Sequence, residues 1–98
     1  MELNKFEREI IIDKIKKLIE EKENRINLKN TFNKDNLKPA IIAFAGGQNL
    51  PKSDPDEFKK LKANKESAQS LVTSCEIEIE LITDNINRLE EIIINNKF

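Results

Sequence analysis

FKKLKANKESAQSLVTSCEIEIELITDNINRLEEII, residues 58–93, decides the fold. Apolar or small residues recur there at alternating steps of three and four, through Phe58, Leu61, Ala68, Val72, Cys75, Ile79, Ile82, Ile86, Leu89 and Ile93, and Lys65 alone breaks the run. A 3.5-residue repeat of this length belongs to a helix that lays one seam along another helix. With Phe58 at heptad position a, the a positions are Phe58, Lys65, Val72, Ile79, Ile86 and Ile93, and Leu61, Ala68, Cys75, Ile82 and Leu89 fall at d. The start is marked by Asp54 as N-cap, Pro55 in the first helical position, and Asp56 and Glu57 in the first turn. Neither proline nor glycine follows, so the pattern predicts a helix from residue 55 to about 95, roughly 60 Å long.

Toward the N-terminus, residues of about 3–28 form a second amphipathic pattern. Ile11, Ile15, Leu18, Ile19 and Ile26 share one side of a helical wheel, and Asn4 with Glu7 is placed to cap the start. Leu3, Phe6, Ile10 and Ile12 widen the apolar arc beyond what one partner helix covers, which predicts two neighbours for this helix. Between the helices lies a connector of residues 29–54, too long for a simple helix hairpin. Pro39 and Gly46 bracket a short helix over Pro39–Ala45, with a buried strand as the alternative, and the apolar Ile41, Ile42 and Phe44 within it are expected to dock while Asn30–Asn36 stays mobile. The fold class is therefore all-α, one helical domain packing as a bundle or coiled coil.

A first helix shorter than the second leaves part of the heptad bare, and bare apolar seams usually mark interfaces. The expectation is a homo-oligomer joined through Val72, Cys75, Ile79, Ile82, Ile86, Leu89 and Ile93. The β-branched residues at a suit parallel packing. Charge argues for the antiparallel arrangement, since Lys59, Lys60, Lys62 and Lys65 lie in one half of the long helix and Glu76, Glu78, Glu80, Asp84, Glu90 and Glu91 in the other.

Composition narrows the function classes. Seventeen basic residues against 18 acidic ones give a net charge of -1, so no global field draws the chain to nucleic acid or anionic membrane. Four lysines between residues 59 and 65 follow directly on Asp54, Asp56 and Glu57, and the chain has no Tyr or Trp to stack bases, which argues against a nucleic-acid partner. No stretch approaches the roughly 20 apolar residues that span a bilayer, and a single cysteine suits a reducing compartment, so the cytoplasm is expected, a host's if the protein is viral. The Ile, Lys, Asn and Glu bias fits an AT-rich genome such as that of a phage or bacterium.

Catalytic chemistry finds little support. The absence of histidine removes most triads and the usual zinc sites. Cys75 sits mid-seam with no His partner and reads as a small hydrophobe, while Glu76 and Glu80 read as a solvated acidic face. No cofactor and no metal site are expected. The connector is where a ligand site is expected, with Lys38, Gly46, Gly47, Gln48, Asn49 and Lys52 offering cations, backbone N–H groups and amides. The sequence thus predicts a non-enzymatic, self-associating module that binds another protein. The alternative is an oligomer that sequesters a small anionic, nucleotide-like ligand between subunits.

Overall fold

A computed structural model describes residues 3–48 and 50–96. Four helices follow one another: α1 (Lys5–Phe32), α2 (Lys38–Gly46), the single turn α3 (Leu50–Ser53) and α4 (Pro55–Asn95), with a π-helical turn over Asn33–Leu37 joining α1 to α2. No strand occurs among the described residues, and no described helix is long and apolar enough to cross a membrane. The chain is all-α.

Both long helices start where their caps require. Asn4 Oδ1 accepts from the Glu7 backbone N–H at 2.8 Å while Asn4 Nδ2 donates to Glu7 Oε1 at 2.7 Å, so one side-chain pair satisfies an otherwise orphaned amide and fixes the first turn. At α4 the Asp54 carboxylate accepts from the Glu57 N–H at 3.2 Å. The acidic residues in both first turns also face the positive end of the helix dipole.

The first helix does not stop near residue 28. It continues to Phe32, and the segment Asn30–Asn36 expected to be mobile is helical. The Asn and Thr residues there are weak helix formers, yet no proline intervenes before Pro39, and Phe32 and Leu37 gain burial by staying on a helix. α2 covers the expected short helix and one residue more at each end. Of its apolar residues Ala40 and Phe44 turn inward; Ile41 and Ile42 are exposed, Ile42 at 67%, because a helix turns only one residue in three or four onto a given seam.

Contacts divide the chain into two compact units. In the first, made of residues 1–26 and 77–98, α1 lies beside the C-terminal half of α4, which buries Ile82 and Ile86 and half-buries Ile11, Ile12, Ile15, Leu18, Ile79, Leu89 and Ile93. In the second, residues 27–76, Leu37, Ala68 and Val72 form a buried cluster with Phe32 and Ala40 packed against it. Phe44 and Phe58 add a tilted ring pair with centroids 5.5 Å apart, and Lys65 sets its ammonium 4.4 Å from the centroid of the Phe44 ring. That contact accounts for the one break in the heptad: the lysine stem packs along the seam and its charge rests on a π face.

Candidate functional site

The seam on α1 and α2 is itself a heptad. Its inward positions are Ile11, Ile15, Leu18, Lys22, Arg25, Lys29 and Phe32, at steps of four and three, followed by Leu37, Ala40, Phe44 and Gly47. The step from Phe32 to Leu37 is five. The π turn absorbs the extra residue, closing with a Lys38 N–H to Asn33 carbonyl bond; an uninterrupted α-helix would instead turn Asn36, Pro39, Ala43 and Gly46 inward. Pro39 favours the same solution, since it lacks an N–H and its ring crowds the preceding turn.

This seam covers the heptad of α4 within one chain. Val72 and Cys75 are each 4% exposed, Ile82 and Ile86 are buried, and Ile79, Leu89 and Ile93 are half-buried. The chain's own packing thus takes up part of the surface of the seven positions expected to meet another copy, and Ile79, Leu89 and Ile93 keep part of theirs open. The first helix is the shorter one, 28 residues against 41, and the π turn and α2 follow it with five and nine more.

Lys22, Arg25 and Lys29 explain why the repeat in α1 is hard to see in the sequence, as three charged residues occupy successive inward positions. Arg25 Nε lies 3.0 Å from Glu78 Oε2 across the first unit, an ion pair without an aligned N–H on that oxygen. Both side chains are nearly half exposed, so the pair adds at most about 1 kcal/mol.

The connector residues expected to hold a ligand do not converge. Lys38, Gly46, Gln48 and Lys52 are exposed, Gly47 is buried, and Asn49 lies outside the described residues. The Gln48 amide donates to the Phe44 carbonyl at 3.0 Å and so closes the end of α2. Gly47 donates its N–H to the Ala43 and Phe44 carbonyls, and a Cβ there would sit 2.7 Å from Leu61 Cδ1. Its lack of a side chain serves packing. At Gly46 a Cβ would meet nothing within 4 Å.

Exposed apolar side chains occur on every long element, among them Phe6, Ile42, Ile77, Leu81 and Ile94, and one set lies directly beside the seam. Ile12, Ile19 and Ile26 recur every seven residues at heptad position e of α1; Ile12 is half-buried, and Ile19 and Ile26 are 41% and 36% exposed. Ile19 and Ile26 line a shallow groove of about 440 Å³ in the first unit together with Thr83 and Ile86 and with the polar and charged Lys22, Glu23, Asn87 and Glu90. The Thr83 hydroxyl donates to the Ile79 carbonyl at 2.7 Å, so covering it leaves no unsatisfied donor. Sequence reasoning placed Ile19 and Ile26 on the buried side; their seven-residue spacing with Ile12 was the signal for a separate stripe. A second groove of the same unit, about 380 Å³, gathers Lys14, Lys17 and Arg88 around Leu18, Asn85 and Leu89.

Among the described residues no group of three or more Cys, Asp or Glu comes together to hold a metal ion. The chain matches no known family model, and no characterised protein or solved structure shows significant similarity to it.

Proposed function

We propose that this protein is a non-enzymatic helical module that associates with itself and binds another protein. One observation carries the reading: after the seam has closed, the buried hydrophobic residues among those described are limited to Leu37, Ala68, Val72, Cys75, Ile82 and Ile86. None of the described side chains is less than 2% exposed, so the two-layer packing is thin, and an apolar stripe borders it. A further layer of helix on that stripe would supply the core that two helices lack. Light scattering on a sizing column tests the reading; a mass of 11.4 kDa across the micromolar range would end it.

The sequestration reading retains one supporting observation, the groove in which Lys14, Lys17 and Arg88 meet with no carboxylate among its lining residues. Lys17 spends part of its charge on Asp13, 3.2 Å away. A thermal-shift titration with nucleoside phosphates tests it, and an unmoved transition up to millimolar ligand would exclude such a ligand.

A further inference from the structure

We infer that the occupant of the Ile12, Ile19 and Ile26 stripe is the same stripe of a second copy, laid antiparallel about a two-fold axis at Ile19. This rests on the self-association proposed above and specifies its surface, direction and register.

The spacing is the first argument. Ile12 and Ile26 stand seven residues before and after Ile19, so the stripe is its own mirror along the helix. A two-fold contact sets a residue against its partner's equivalent only at the axis and pairs all others reciprocally. Centring on Ile19 places Ile19 against Ile19, and Ile12 against Ile26, with every isoleucine matched.

Charge fixes the direction. Glu9, Lys16 and Glu23, all exposed, follow the outer edge of the stripe at the same seven-residue interval. Parallel alignment in register would set each against its own like charge. In the antiparallel alignment Lys16, three residues before the axis, meets Glu23, four residues after it, with an axial offset of about 1.5 Å. The pair occurs twice by symmetry. Such pairs contribute little affinity but select orientation.

Burying the groove costs no orphaned hydroxyl, since Thr83 is already bonded to Ile79.

Single cysteines test the arrangement, with the wild-type chain as control because its one thiol, Cys75, is buried. Under mild oxidation Ile19→Cys should cross-link to a dimer and Ile12→Cys should not, as its partner's equivalent lies roughly 21 Å away along the axis; the double variant Ile12→Cys with Ile26→Cys should cross-link again. Surface charge swaps give a second readout that leaves the seam untouched. Lys16→Glu should weaken the dimer roughly three- to tenfold, and adding Glu23→Lys should restore it. A dimeric mass with equal cross-linking at residues 12 and 19, or with none at any of the three, overturns this register while leaving self-association standing. A monomeric mass overturns both.

Discussion

Phe32 and Leu37 pack into one cluster although the step between them is five residues, one more than a helix seam takes. The π turn between them carries the apolar seam past one surplus residue. Deleting Lys34, which is exposed within that turn, should convert the turn to ordinary α-helix and keep Phe32 and Leu37 on the same face. Urea unfolding followed by helicity should show a change within about 1–2 kcal/mol. Deleting Asn24 instead shifts every later seam residue by 100° with no turn to absorb it, and should abolish cooperative unfolding. Equal damage from both deletions would refute this account of the π turn.

The contrast between α1 and α4 shows what a sequence discloses. α4 was legible from end to end, Pro55–Asn95, because an Asp-Pro start is a local chemical signal and its heptad is interrupted once. The partner seam was not. Lys22, Arg25 and Lys29 occupy inward positions, and a one-residue slip at Asn33–Leu37 puts the two halves of the pattern out of phase. Residues 29–54 therefore read as a connector, which left the heptad of α4 without a visible partner. The turn residues suggested a ligand site for a related reason: glycine pairs and amides look alike whether they bind a ligand or, like Gly47 and Gln48, close a helix end.

Lys65 rests over Phe44 at 4.4 Å, a half-buried cation on a half-buried ring. A double-mutant cycle with Lys65→Gln and Phe44→Leu should return a coupling of about 0.5–1 kcal/mol. Because the interaction depends on charge, Lys65→Arg should retain most of it. A coupling indistinguishable from zero would mean that Lys65 contributes only its aliphatic stem.

Arg25 takes an inward position between those of Lys22 and Lys29, and its ion pair with Glu78 is half open to solvent. Replacing Arg25 by Leu continues the seam from Leu18 toward Phe32 with a side chain that needs no counter-charge. The change should be neutral or stabilising, by up to about 1–2 kcal/mol. Loss of more than about 1 kcal/mol in chemical denaturation would show that the pair contributes more than its exposure allows.

Cys75 is 4% exposed in the packed heptad. Its thiol should react with a bulky disulfide reagent only as fast as the second unit opens, and denaturant should accelerate the labelling. Cys75→Ala should cost about 1 kcal/mol through lost buried volume while leaving the oligomeric mass unchanged. Prompt labelling of the native protein would contradict the packing of α4 in the second unit.

Gly46 and Gly47 adjoin in sequence but answer to different constraints, so their alanine variants should move stability in opposite directions. Gly46 is the last residue of α2, and an alanine Cβ there meets open space; Gly46→Ala should stabilise by about 0.5–1 kcal/mol through the lower entropy of the unfolded chain. At Gly47 a Cβ would meet Leu61 Cδ1 at 2.7 Å and Leu50 Cδ1 at 3.0 Å. Both contacts are ends of flexible side chains, so the site can yield, and Gly47→Ala should cost on the order of 1–2 kcal/mol, as overpacking does. Adding Leu61→Ala should remove the clash and make the Gly47→Ala step close to neutral in that background. If Gly47→Ala instead left melting unchanged and abolished capture of a protein partner, the glycine would serve recognition, as its sequence setting first suggested, and the packing account would be wrong.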